Sequence, residues 1–390
     1  MEKNNMKIAV STFTFYPELN GVANVSYKQA EYFHNLGYEV HIITRKNIDR
    51  DYEDEKITNF IFHEFEIKGS PLLYNFYRGE ISKYIYFLEN FECDVILFHA
   101  WQIWTTDLFY FTNPKKVKYK TIMISHCTGI KTSNTFRDKL NYILFLPYRF
   151  IMRGLMKRFD SIVTLSDKAD NDRFYDNKML KKYGLLNKRT VIPNGLDVQS
   201  YNKSKVMDVL KKYNIDYKNY IICISNYQEI KNQLETLKIY ESLNANINLI
   251  FIGDYESEYL QLLKEYSKKL KYKHNIQFLV NLQQEELKIL LYGAKIFLFS
   301  SKSECMPLAV LESVGSNVPV VSSNVGNVGN INGVLCYTSI DDSTSILRKL
   351  YFDAIYYENT MKIIENNIMN YYWKNILSKY QRLIAKLNDY

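Results

Sequence analysis

Two hydrophobic periods alternate along the chain. Short apolar runs are followed by stretches in which apolar residues recur every three or four positions, the signatures of strand and helix respectively. KIAVST (7–12), EVHIIT (39–44), DVILFH (94–99), YKTIMIS (119–125), SIVTLS (161–166) and TVIPN (190–194) predict six strands in the first half. YIICIS (220–225), INLIFIG (247–253), NIQFL (275–279), KIFLFS (295–300), VPVVSS (318–323) and GVLCY (333–337) predict six more in the second. Strands separated by helix-length amphipathic stretches are the pattern of βα units, so the expected class is α/β with parallel sheets. The pattern runs twice, with a seam near 194–201. The simplest architecture is therefore two Rossmann-like domains in series, residues 1–197 and 198–368, followed by a last helical segment, 369–390. Ligands of open parallel sheets sit beyond the C-terminal strand ends, which directs the search for chemistry to the loops after each strand.

Composition narrows the class. A chain of 390 residues with 47% apolar and 24% charged side chains has the make-up of a globular protein of two or three domains, well away from disordered chains. The net charge of +8 favours anionic partners, although a chain with 34 tyrosines and many lysines and asparagines owes part of that balance to composition alone. No aromatic and basic recognition motif accompanies the charge, so nucleic acid is not an expected partner. No run of 18 apolar residues offers a membrane span, and the start MEKNNMKIAVSTFTF has too short an apolar stretch for a signal peptide. The cysteines at 93, 127, 223, 305 and 336 are odd in number and widely spaced, which indicates neither a disulfide framework nor a zinc site. The expected setting is cytoplasmic.

The segment SSKSECMPLAVLESVGSNVPVV (300–321) carries the most chemistry. Pro307 suits an early helical position, where its missing N–H is no loss, and the spacing predicts a helix over about 306–313 capped by Gly315. Glu304 then lies in the loop at the strand end, Glu312 two turns into the helix, and free backbone N–H groups lie near Leu308. A helix N-terminus of this kind stabilises phosphate, and a carboxylate on the adjoining helix can accept both hydroxyls of a ribose. The pattern suits a nucleoside diphosphate. Two glutamates eight apart also arise by chance in such a composition, so the spacing acquires meaning only from its surroundings.

Those surroundings resemble the E-x7-E signature of the GT4 family of retaining glycosyltransferases, which have the GT-B fold of two Rossmann-like domains facing across a cleft. The likeness extends over nearly the whole chain. FYPELNGVANVSYKQAEYFHNLGYEVHIIT (15–44) is similar to the family's opening strand, glycine loop and first helix, and VIPNGLDVQSY (191–201) to its interdomain IPNG-x-D segment. SNYQEIKNQLETL (225–237) sits where the family has a basic diphosphate-binding loop, and YYWKNILSKYQRLI (371–384) resembles the last helix, which crosses back to the N-terminal domain.

The resemblance implies roles residue by residue. Glu312 binds the ribose, Glu304 contacts the transferred sugar, and Lys231 neutralises the departing diphosphate, a fixed cation facing developing negative charge. Gly21 lets the first loop approach the donor without a Cβ, with Asn20 in place of a common first glycine and tolerant of a left-handed backbone. His126 matches a histidine near the reacting centre, and His99 at the previous strand end is a weaker candidate for the acceptor side. The donor-binding set is thus Gly21, Asn226, Lys231, Leu308 and Glu312; the catalytic set is Glu304, His126 and Lys231. Neither a metal nor another cofactor is expected, since no D-x-D cluster lies in a suitable loop. The implied reaction moves a sugar, from a UDP-sugar in preference to a GDP-sugar, to an acceptor hydroxyl of a glycan or lipid-linked acceptor.

Three departures keep a non-catalytic sugar-nucleotide-binding or partner subunit in view: Asn226 where the family has an arginine, GNVGN (326–330) for its GG-x-x-E, and Val280 for a common glycine. Finally, residues 135–160 mix Arg137, Lys139, Arg149, Arg153, Lys157 and Arg158 with aromatic and aliphatic side chains, a composition suited either to peripheral contact with an anionic membrane or to an ordinary domain helix.

Overall fold

The structure, a computed structural model, describes residues 6–18, 20–72, 75–128, 143–168, 174–197 and 200–388. The chain divides into two compact units, Met1–Asn194 with Trp373–Tyr390, and Gly195–Tyr372.

The strands of the first unit begin with β1 (Lys7–Ser11), β2 (Glu39–Arg45) and β3 (Ile61–Phe65), which is followed by a two-stranded antiparallel ribbon of β4 (Ile67–Lys68) and β5 (Arg78–Gly79). Then come β6 (Val95–His99), β7 (Lys120–Ile124), β8 (Ser161–Thr164) and β9 (Arg189–Val191). Outside the ribbon these form, among the described residues, one parallel sheet of seven strands in the order β3-β2-β1-β6-β7-β8-β9. The central strands are apolar on both faces because helices cover both: Ile8, Val10 and Ile42 pack with the helix Gly21–Asn35, and Ala9, Ile43 and Ile96 with the helix Ile81–Asn90. The helix Trp373–Asn388 joins the first of these layers, burying Trp373, Ile376, Leu377, Tyr380 and Ile384 against the core of Ile8, Val10 and Phe33.

The second unit repeats the plan with β10 (Tyr220–Ile224), β11 (Asn248–Gly253), β12 (Ile276–Val280), β13 (Ile296–Phe299), β14 (Val320–Ser323) and β15 (Val334–Tyr337), in the order β12-β11-β10-β13-β14-β15, all parallel. All twelve strands read from the sequence are present. The pattern missed β3, an edge strand in which His63 and Glu64 interrupt the apolar run, and the short ribbon that follows it.

In each sheet the first strand lies in the middle and the order reverses beside it, between β1 and β6 in one unit and between β10 and β13 in the other. Such reversals open a crevice at the C-terminal strand ends, where ligands of doubly wound sheets bind.

Candidate functional site

In the second unit the loops leaving β10 and β13, the two strands that flank the reversal, carry Lys231 and Glu304. Lys231 Nζ donates to Glu304 Oε1 at 2.7 Å, with side-chain exposures of 26% and 12%. Ser301 Oγ donates to the same oxygen at 2.8 Å. The two loops are stitched together by main chain and hydroxyls: Lys302 N–H donates to Ile230 O at 2.9 Å and Ser300 Oγ to Asn232 O at 2.8 Å, while Ser301 Oγ, whose single proton is shared with Glu304, lies 3.2 Å from Ile230 O. Asn226 lies in the same loop. Its Oδ1 accepts from the N–H of Asp254, just past β11, at 3.1 Å, so this side chain braces the loop against its neighbour where a charged arginine was the family expectation.

Gly326, the first residue of GNVGN, completes the loop's support. Its φ is +56°, and a Cβ there would lie 2.3 Å from Cys305 O and 2.8 Å from Glu304 O, so only glycine lets this turn press against the main chain that carries Glu304. Sequence reasoning noted the segment for its missing acid and missed this contact; the glycine itself was the available signal. Val280 is the last residue of β12, paired with Gly253, and the left-handed residue of that corner is Asn281 at φ 53°.

The helix after Glu304 runs from Leu308 to Gly315, later than expected. Pro307 is its extended cap residue (φ −69°, ψ 122°), and its carbonyl accepts the N–H groups of Val310 and Leu311. The N–H groups of Leu308 and Ala309 head the helix before these first bonds. Gly315 is the last helical residue, because Ser316 N–H still reaches Glu312 O at 2.9 Å; the left-handed turn expected of a capping glycine is made by Asn317. Glu312 therefore stands in the second turn. Burial pushes its carboxyl above the usual range, Lys288 opposes that shift and Asp197 adds to it. Its carboxylate makes no hydrogen bond among the described residues.

In the first unit Gly21 follows β1 at the reversal, and the two histidines lie at the C-terminal ends of β6 and of the next strand, β7. Gly21 opens the helix Gly21–Asn35, and Asn20 is the cap: its Oδ1 accepts from Ala23 N–H at 3.0 Å and from Thr14 Oγ1 at 3.2 Å. Asn20 is extended at φ −107° and does not take the left-handed backbone that asparagine would tolerate there; capping needs the β region. His99 ends β6 and His126 lies two residues past β7. Their rings stack at 5.3 Å with a 20° tilt, His99 Nδ1 is 3.0 Å from His126 Nε2, and His99 Nε2 is 3.0 Å from Gln29 Oε1. Burial lowers His126 to about 4 and His99 well below its usual value, so both rings are uncharged near neutrality.

The basic segment is partly consumed by structure. Arg137 and Lys139 lie outside the described residues. Arg158 turns inward: Nη1 donates to the carbonyls of Phe109, Tyr110 and Thr112 at 2.7–3.0 Å, and Nη2 to Thr112 Oγ1 at 2.7 Å. Arg149 lies over Tyr175 and Arg153 over Tyr183. On the helix Leu146–Arg158, the exposed Leu146, Phe150 (72%), Arg153 and Lys157 fall at helical spacing on one face. The opposite face is anchored by Tyr148, whose hydroxyl donates to Asp107 Oδ1 at 3.0 Å while Tyr77 donates to Oδ2 at 2.7 Å. Burial pushes the Asp107 carboxyl up to about 7, against these hydrogen bonds and that of Gln102 N–H, which favour the charged form. No helix among the described residues is long and apolar enough to cross a membrane, and no three of their His, Cys, Asp or Glu side chains are grouped to hold a metal ion.

Two family models match, "Glycosyltransferase Family 4" over residues 19–200 and "Glycosyl transferases group 1" over residues 208–346. The alpha-monoglucosyldiacylglycerol synthase of Streptococcus pneumoniae is 22% identical over 94% of this chain and 83% of its own length. The capsular polysaccharide biosynthesis glycosyltransferase CapH of Staphylococcus aureus is 23% identical over 76% of each. Among solved structures, Anabaena HepE in complex with UDP and glucose superposes with a TM-score of 0.74 at 12% identity, covering 98% of this chain and all of that one.

Proposed function

We propose that this chain, which belongs to the family 4 glycosyltransferases and has the GT-B fold, transfers a sugar from a nucleoside diphosphate sugar to a hydroxyl in glycolipid or surface polysaccharide synthesis, with retention at the anomeric carbon. The observation that carries the reading is the Lys231–Glu304 contact at the reversal of the second sheet, beside a helix that presents unbonded N–H groups and a carboxylate without a hydrogen bond. A UDP-sugar is the favoured donor over a GDP-sugar, supported by the HepE complexes with UDP and with UDP-glucose.

In this reading Glu312 accepts the ribose hydroxyls. Lys231 and the N–H groups of Leu308 and Ala309 hold the diphosphate, with Asn226 lining the same loop. Lys231 has three donors, so its ammonium serves Glu304 and a phosphate oxygen together. Glu304, fixed by Lys231 and Ser301, accepts hydroxyls of the transferred sugar. As the glycosidic bond to the diphosphate breaks, the negative charge gathered on the leaving phosphate is stabilised by Lys231 and the helix N-terminus, and that phosphate takes the acceptor's proton as the new bond forms on the same face. For Gly21 and His126, both in the first unit, roles at the donor and at the reacting centre are supported by the family resemblance alone. No metal takes part, since Lys231 supplies the cation.

The acceptor is a glycan or lipid-linked hydroxyl, supported by the two relatives' names. Contact with an anionic membrane would use the Leu146, Phe150, Arg153 and Lys157 face, an apolar wedge with two cations behind it, each cation contributing about 1 kcal/mol. The deciding experiment is a transfer assay with UDP- and GDP-sugars on wild type and Glu304→Ala, with the anomeric configuration of the product read by NMR. An inverted product, or full turnover in Glu304→Ala, refutes the mechanism.

A further inference from the structure

A buried polar chain in the first unit leads from the first helix to the loop after β7: Gln29 Oε1, His99, then His126, each step 3.0 Å. The amide orientation sets its direction. Gln29 is placed with Oε1 towards His99, and a carboxamide oxygen only accepts, so in this orientation the proton of the first contact is on His99 Nε2. A neutral imidazole carries one proton, which leaves His99 Nδ1 as a bare lone pair that must accept from His126 Nε2. The proton of His126 then sits on Nε2 and its Nδ1 is unprotonated. That nitrogen makes no hydrogen bond among the described residues, and His126 is the part-exposed end of the chain, past the C-terminal end of β7. The main chain around both rings is held in an uncommon form: Ala100, Gln102 and Cys127 have φ of 63°, 67° and 71°, a left-handed region rarely taken by residues other than glycine. Thr106 Oγ1 adds a hydrogen bond to His99 O at 3.1 Å.

We infer that Gln29 and His99 are positioning residues that hold His126 in its Nε2–H tautomer, so that Nδ1 accepts a hydrogen bond from a substrate hydroxyl. The inference rests on the reading that His126 meets the substrate. An acceptor at that point draws the hydroxyl proton toward the ring and leaves electron density on the hydroxyl oxygen; the other tautomer would present a donor and do the reverse.

Nitrogen NMR of the full chain labelled with 15N-histidine tests it, since protonated and bare ring nitrogens are well separated in shift. In the wild type His126 should show a bare Nδ1. Gln29→Met, which removes the accepting oxygen at similar size, should give a mixture of tautomers and lower kcat roughly tenfold to a hundredfold, as loss of an orienting partner does elsewhere, with the donor KM little changed. Gln29→Glu keeps an acceptor and should restore the tautomer and most of the lost turnover. A protonated Nδ1 in the wild type, or a tautomer change in Gln29→Met without loss of kcat, overturns the inference. Full activity in His126→Ala would instead sink the reading that His126 meets substrate, and the NMR result keeps the two failures apart.

Discussion

Replacing Asp107 by asparagine removes the charge from a buried carboxyl while keeping its shape, and the structure gives the size of the effect. The folded carboxyl titrates at about 7 against 3.8 for an ordinary aspartate, chiefly through burial. Because the folded form holds its proton more tightly than the unfolded one, stability from this group is complete below the ordinary value and is lost as pH rises towards the folded value. Each decade of proton affinity is about 1.4 kcal/mol, so the two decades between pH 5 and pH 7 correspond to about 3 kcal/mol. At roughly 2–4 °C per kcal/mol for a unit of 150–250 residues, that is roughly 6–12 °C in Tm. In the Asp107→Asn variant the amide oxygen accepts from one tyrosine and the NH2 donates to the other, with nothing to ionise. Calorimetric melts of wild type and Asp107→Asn from pH 5 to pH 8, in matched buffers, should diverge, the variant gaining relative to the wild type as pH rises. Parallel Tm curves across that range would refute the reasoning.

Other outcomes follow from the second unit and the exposed helix face. Glu312→Ala and Lys231→Ala should each weaken donor binding or turnover by the worth of a charge-assisted contact, about 1.5–3 kcal/mol, with the melting temperature nearly unchanged; unaltered donor kinetics in both would remove the pocket. Donor affinity should fall on acidification from a higher pH than an ordinary carboxylate would give, because burial raises the Glu312 carboxyl and the ionised form is the better acceptor; Glu312→Gln should flatten that limb in a titration-calorimetry series. Transfer should survive excess EDTA, and strict dependence on Mg²⁺ or Mn²⁺ would count against Lys231 as the sole cation. The protein should sediment with anionic liposomes at low ionic strength and be released by salt, and Phe150→Ser with Arg153→Ser and Lys157→Ser should abolish sedimentation while donor binding persists. Equal partitioning onto neutral vesicles would remove the electrostatic part.

Much of the fold was legible because strands buried on both faces must be apolar nearly throughout, and KIAVST or YIICIS have no other use in a globular chain. His63 and Glu64 hid β3, since an edge strand tolerates polar side chains. Glu304 and Lys231 were legible through the resemblance of their segments, but their 2.7 Å contact was not, as it depends on which strands flank the reversal. Arg158 shows the limit of counting charges: a cation in a basic run caps three carbonyls of a neighbouring turn, which no one-dimensional pattern expresses. The Gln29–His99–His126 chain was invisible for the same reason, its members being 70 and 27 residues apart.

The helix Trp373–Asn388 has a consequence for how the molecule comes into being. The layer it completes is assembled from residues early in the chain, Ile8, Val10 and Phe33 among them, yet Trp373, Ile376, Tyr380 and Ile384 leave the ribosome only after all of the second unit. Vectorial synthesis therefore cannot finish the first unit first. Its apolar flank waits, uncovered, while the whole of Gly195–Tyr372 is made and folds. A stop codon just before Trp373 would strike the N-terminal half of the molecule and spare the half nearer to the cut.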